Sequence, residues 1–99
     1  MAATSFDVGD VVRLAGNFQN QSGTDVDPGV VTVKVKNPIG TVTTYVYGTD
    51  AEVIRDSAGN YHADIDADKE GIWFYRWEGS GVNKGAGEGT FTVADSQFY

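Results

Sequence analysis

The sequence predicts an all-β chain, a two-sheet antiparallel β-sandwich of about seven strands. Three observations predict it. No stretch of useful length carries apolar residues at the 3.6-residue spacing of an amphipathic helix. β-Branched and aromatic residues instead alternate with polar ones in short runs, the pattern of half-buried strands. Gly, Pro, Asn and Asp punctuate those runs at close, fairly regular intervals, as they do where sandwich strands are joined by turns.

The first strand is expected over about 10–18, with Val12, Leu14 and Phe18 on one face and Val11, Arg13 and Asn17 on the other. The segment "QNQSGTDVDPG" (19–29) is a polar loop. Val30 to Lys36 follows as a strand that turns Val31, Val33 and Val35 inward and Thr32, Lys34 and Lys36 outward. "NPIG" (37–40) is a turn, because Pro presets φ early and Gly closes it. Further strands are expected over about 41–47 and 52–55.

"DSAGN" (56–60) leads tightly into a strand over 60–66, with Tyr61, Ala63 and Ile65 on one face and His62, Asp64 and Asp66 on the other. The last two strands are expected over 71–78 and about 88–94, the latter with Phe91 and Val93 inward. The glycine-rich stretch "GSGVNKGAGEG" (79–89) reads as a flexible connection between them or as a binding loop. It lacks the glycine and lysine order of a phosphate-binding loop, and no helix follows to supply amides.

The stretch "GIWFYRWEG" (71–79) places Trp73, Phe74, Tyr75 and Trp77 within five consecutive positions. A strand points alternate side chains to opposite faces. With Gly71, Trp73, Tyr75 and Trp77 turned to the core, Ile72, Phe74 and Arg76 face the other way. Two readings follow: apolar residues of the ordinary exposed kind, or a patch that docks on another protein, since Phe and Arg concentrate at interface centres.

Ninety-nine residues make one domain, 1–99, with a short N-terminal arm (1–5) and a C-terminal tail (95–99). Seven Lys and Arg against fourteen Asp and Glu give a formal charge of −7, which argues against nucleic acid, whose binding depends on neutralising phosphates. There is no cysteine, so neither a disulfide framework nor a thiolate ligand is present. The start "MAATSFDVGD" has neither the basic nor the apolar region of a secretion signal, and no apolar run has the length of a membrane span. The expectation is a chain made in the cytoplasm, with no membrane partner.

In the region "DKEGIWFYRW" (68–77) the chain resembles the F strand of immunoglobulin-like domains. Gly71 takes the small position, Trp73 the aromatic one two places on, and Tyr75 stands where antibody domains have a cysteine. The wider pattern covers most of the chain: "F-x-x-GD-x-V-x-L", "DP-x-x-V-x-V-x-V", "P-x-G", "D-x-x-G-x-Y", "G-x-W-x-Y-R-W" and a final "E-x-x-F-x-V". This looks like the free-standing immunoglobulin-like structural proteins of tailed bacteriophages. The resemblance implies an immunoglobulin-like fold and a virion component: a capsid decoration (cement) protein on the major capsid protein, or a head–tail or tail accessory. Self-association on the particle is a further implied contact. The family offers no catalytic residues to carry over.

The remaining chemistry is thin. "DIDADKEG" (64–71) has Lys69 and Tyr75 where a calcium-binding EF-hand loop needs Gly and Glu. Asp64 and Asp66 share a strand face, to be joined by Asp25, Asp27 or Asp50 if a calcium site exists, or else solvated. His62, the one histidine, is expected as an isolated surface residue with no nucleophile paired to it by spacing. No catalytic residue, metal or cofactor is therefore assigned, and the chain is read as non-enzymatic. Tyr45 and Tyr47 share a face, either completing the core or standing outward as a platform for sugar rings. The competing reading of the chain is a carbohydrate- or surface-binding immunoglobulin-like module. Phe98 and Tyr99, beyond the last strand, join Ile72, Phe74 and Arg76 as the expected partner-binding residues.

Overall fold

The alternation seen in the sequence becomes eight strands in the computed structural model, which describes residues 5–98. In chain order they are β1 (Ser5–Asp7), β2 (Val11–Asn17), β3 (Val30–Lys36), β4 (Val42–Val46), β5 (Val53–Ser57), β6 (Asn60–Asp66), β7 (Gly71–Ser80) and β8 (Gly85–Ala94). Five strands form one sheet in the order β1-β8-β7-β3-β4, and three form the other in the order β2-β6-β5. All neighbours pair antiparallel except β1, which runs parallel to β8.

Three boundaries differ from the sequence expectation. The eighth strand, β1, takes in Ser5, expected as part of a free arm; its pairing of Ser5 with Thr92 and Asp7 with Ala94 ties that residue into the chain's own sheet. Residues 1–4 of the expected arm, and Tyr99, lie outside the described residues. The glycine-rich stretch 79–89 is mostly strand: β7 and β8 pair as far as Gly79 opposite Gly85, which leaves only 81–84 as the turn. Glycine lowers strand propensity, but pairing to β7 overrides that preference. The strand expected at 52–55 runs on to Ser57 through an irregularity between Arg55 and Ser57.

The core is the set of inward positions from both sheets. Val12 and Leu14 of β2, Val53 of β5, and Tyr61, Ala63 and Ile65 of β6 are buried on one side. Val31, Val33 and Val35 of β3, Trp73 and Trp77 of β7, and Phe91 and Val93 of β8 are buried on the other. Trp73 stacks on Phe91 with ring centroids 5.5 Å apart, and Phe6 of β1 meets the same ring edge-on at 5.8 Å. Both Tyr45 and Tyr47 turn to this inner side: Tyr45 packs on the core, and Tyr47 lies edge-on to Tyr61 at 5.4 Å.

β2 of the smaller sheet meets β7 of the larger one at Gly16 and Trp77. A Cβ on Gly16 would lie 2.6 Å from the Trp77 ring, so only glycine admits the indole there. Gly87, opposite Trp77 on β8, has nothing within 4 Å of such a Cβ. Forcing a methyl into a filled contact costs about 1–3 kcal/mol, whereas adding one in open space on a compatible backbone gains up to about 1 kcal/mol. Urea unfolding should therefore show Gly16→Ala destabilised by about 1–3 kcal/mol and Gly87→Ala unchanged or slightly stabilised. Equal losses in the two variants would mean that the inter-sheet contact is not the reason for Gly16.

Candidate docking surface

Three of the expected partner-binding residues lie together on the outer face of the five-stranded sheet. Ile72, Phe74 and Arg76 alternate with the buried Trp73 and Trp77 along β7, and Ile72 and Phe74 are 53% and 48% exposed. Phe98 lies apart from them in the tail, 95% exposed, with its backbone N–H donating to Ser96 Oγ at 3.0 Å.

Strand pairing fixes what surrounds Phe74. Lys36 of β3 stands opposite it on one side and Thr90 of β8 on the other, with Val42 of β4 beyond Lys36. The Lys36 ammonium is 5.8 Å from the Phe74 ring centroid, within cation–π range. Together with Lys34 and Arg76 these residues line an open groove of about 550 Å³. Val42 is 54% exposed, so a further apolar side chain stands at the sheet edge, with Lys36 between it and Phe74.

One step along the sheet, Arg76 is held between two carboxylates. Its Nε donates to Glu78 Oε2 and its Nη1 to Glu88 Oε2, both at 2.8 Å, while Lys34 Nζ lies 3.0 Å from Glu78 Oε1. The hydrogen bonds from Arg76 and Lys34 hold the Glu78 carboxyl below its ordinary range, and Glu78 and Glu88 raise the Arg76 guanidinium. Exposed pairs of this kind contribute little stability singly. As a network they hold the arginine in place beside Phe74.

The charge is unevenly distributed. Outward positions of β3, β4, β7 and β8 carry Lys34, Lys36 and Arg76 against Glu78 and Glu88. The rest of the chain is left with four Lys and Arg against twelve Asp and Glu. An apolar strip rimmed by cations thus sits on a strongly acidic molecule. Lys34 and Lys36 read as outward in the sequence, but their position beside Phe74 depends on the pairing of β3 with β7, which no local pattern announces.

A second polar centre, missed in the sequence, closes one end of the sandwich. The Asp27 carboxylate accepts from Arg55 Nη2 at 2.9 Å, from the Gly59 N–H at 2.9 Å and from the Tyr61 hydroxyl at 2.7 Å. Its backbone carbonyl accepts from Asn83 Nδ2 at 2.9 Å, so the 19–29 loop is tied to both hairpins. Gly59 has φ +76°, and a Cβ there would lie 2.6 Å from the Phe18 carbonyl oxygen, so the turn requires glycine. Arg55, Gly59 and Tyr61 together hold the Asp27 carboxyl far below the usual carboxylate range, while burial and the Asp27 hydrogen bond push the Tyr61 hydroxyl up to about 12. The period-two acids in "DVDPG" were the available signal.

The acidic strand residues are otherwise employed. Asp64 takes two hydrogen bonds from Arg13 across the β2–β6 pair, at 2.9 and 3.0 Å. Asp25 accepts from Asn17, Gln19 and Asn60, so it does not join Asp64. His62 is not an isolated surface residue as expected: its side chain is 12% exposed and Nδ1 lies 2.8 Å from Asp56 Oδ2, an ion pair when the ring is protonated. No group of three or more potential metal ligands occurs among the described residues.

Comparison with protein families, with curated proteins and with solved structures gave no match for this chain.

The Asp27 centre makes stability pH-dependent in a defined direction. A carboxyl held down in the folded state adds stability that is complete above the ordinary carboxylate range and lost as pH falls through the folded value. Urea midpoints should be level near neutrality and fall below about pH 4. Asp27→Asn should lower the midpoint at pH 7, with the gap to the parent chain narrowing towards pH 2. A gap that stays constant from pH 7 to pH 2 would mean that the ionised Asp27 carboxylate is not the source of the effect.

Proposed function

We propose that this chain is a non-enzymatic immunoglobulin-like structural protein of a phage virion, a capsid decoration protein that binds the assembled major capsid protein. The single observation that carries the docking role is the Phe74 patch: an apolar strip with Lys34, Lys36 and Arg76 around it, on the flat outer face of a sheet in a chain of net charge −7.

The immunoglobulin-like assignment is supported by strand order. The sheets β8-β7-β3-β4 and β2-β6-β5 correspond to the G-F-C-C′ and B-E-D sheets of such domains, with β1 beside the last strand. The motif "G-x-W-x-Y-R-W" falls on β7, the F-strand position. The phage assignment rests on the motif resemblance. Rigid sheet faces suit such a role, since binding only the assembled state stabilises that state by mass action.

In this reading Phe74 is the anchor and Lys36 and Arg76 set the register, so the complementary surface is apolar with carboxylates around it. Tyr45 packs on the core, while Tyr47 lies edge-on to Tyr61 and keeps 43% of its surface exposed, so the pair offers less of the outward platform that the competing carbohydrate-binding reading would use.

Density-gradient fractionation of a source lysate, with mass spectrometry for peptides spanning 73–77, tests the reading. Many copies co-migrating with capsid-sized particles are expected. A few copies per particle would move the role to the head–tail joint or the tail, and recovery only at the top of the gradient would overturn virion membership. On particles, Phe74→Ala should reduce affinity roughly tenfold or more, and Lys36→Glu should reduce it with a weaker salt dependence than the parent chain. Deleting 95–99 should also weaken attachment while the melting temperature stays unchanged.

A further inference from the structure

We infer that β4 pairs with β4 of a second copy about a two-fold axis at Thr43, joining two five-stranded sheets into one of ten strands. The inference starts from which backbone groups of this edge strand remain free. Tyr47 N–H donates to the Val31 carbonyl and Asn37 N–H to the Thr41 carbonyl, both at 3.0 Å. In an antiparallel pair, hydrogen-bonded positions alternate. Given the β3–β4 register, positions 41, 43, 45 and 47 therefore bond to β3, and Val42, Thr44 and Val46 point their N–H and C=O groups away from it.

Val46 is already occupied. Its N–H donates to Asp50 Oδ2 at 2.8 Å, and its carbonyl accepts from the Asp50 N–H at 2.8 Å and from the Thr49 N–H at 3.1 Å. Among the described residues, that leaves Val42 and Thr44 as the two of β4 with a free outward donor and acceptor. One antiparallel register matches both with nothing left over: Val42 opposite Thr44 of the second copy, and Thr44 opposite its Val42. The symmetry axis then falls at Thr43, and the pairing closes as a dimer instead of propagating.

The side chains fit a second copy of the same strand. "TVTTYVY" (41–47) carries no charge, no proline and no glycine, and its β-branched and aromatic residues suit cross-strand pairing. The other edges are covered in part or carry charge: β1 covers the C-terminal end of β8, whose remainder holds Glu88; β5 carries Arg55, Asp56 and an irregular register; and β2 carries Arg13. The free stretch of β4 is short, and each copy carries a charge of −7. The dimer is therefore weak, with a dissociation constant on the order of 0.1–1 mM. Salt strengthens it by screening the repulsion between copies. The inference is independent of the identity of the docking partner.

The absence of cysteine makes a single engineered thiol an unambiguous reporter. At the axis, facing Cα atoms of a non-hydrogen-bonded pair are about 4.5 Å apart, within disulfide reach, whereas the diagonal between two Thr44 residues is about 7–8 Å. Thr43→Cys, with diamide accepting the two electrons and two protons, should yield a covalent dimer at least tenfold faster than Thr44→Cys or a Thr90→Cys control. Light scattering of the unmodified chain should show the mass rising from 10.6 kDa towards twice that value with concentration, more so at high salt. Thr44→Pro removes an N–H that β3 does not use, so it should abolish both effects without changing the melting temperature. Thr44→Lys provides a second block if the proline perturbs folding. Cross-linking of Thr44→Cys at the rate of Thr43→Cys would overturn the register. A monomer at every concentration, with Thr43→Cys no faster than the control, would overturn the dimer.

Discussion

The indole of Trp77 occupies the space that a Cβ on Gly16 would need, and much of the molecule depends on that contact. It sets how closely β2 of the smaller sheet approaches β7 of the larger one. The contact has a cost, because the Trp77 indole N–H is buried with no acceptor among the described residues, and an unmet buried donor costs about 1–3 kcal/mol. The ring's burial outweighs it, since a buried aromatic removes roughly 150–250 Å² from water. Trp73, by contrast, donates to the Lys69 carbonyl at 3.0 Å. With both indoles fixed inward, the strand's period of two turns Ile72, Phe74 and Arg76 outward.

That outward set acquires its character from neighbours distant in sequence. β3 brings Lys34 and Lys36 alongside, and β8 brings Glu88 and Thr90. The carboxylates hold Arg76 to the sheet, while Lys36 lies over Phe74 without a carboxylate partner among the described ion pairs. The arrangement presents exposed apolar side chains around an open groove together with cationic hydrogen-bond donors. The smaller sheet carries Asp56, Asp64 and Asp66 against Arg13 and Arg55, with Asp64 bound to Arg13.

The sequence made the individual strands legible and left their neighbours hidden. β3 and β6 fall where alternation placed them, because one face of each is packed with Val or with Tyr, Ala and Ile. β1 was missed because three residues give no periodicity, and its pairing partner lies at the far end of the chain. The glycine-rich arm of the β7–β8 hairpin was read as loop because propensity is local while pairing is not. The outward placement of Ile72, Phe74 and Arg76 was legible from the period of two. The groove around them was not, since Val42, Lys36 and Thr90 meet Phe74 only through sheet order. The Asp27 centre was hidden for the same reason: Arg55, Gly59 and Tyr61 reach it from another hairpin.

The proposed docking face and the open β4 edge belong to the same sheet, and Val42 belongs to both. Its side chain borders the groove beside Phe74, and its backbone groups point to the open edge. Pairing two copies at that edge would set two Phe74 patches on one continuous surface related by a two-fold axis. A surface that binds one patch weakly then meets the second at high effective concentration, so avidity rises without any new contact. The two proposed associations would respond oppositely to salt. Screening weakens an attraction between lysines and carboxylates, and it relieves the repulsion between two acidic chains. Copies already held side by side on a partner lose much of the entropic cost of meeting, so an edge too short to sustain a dimer in dilute solution becomes effective in the bound state.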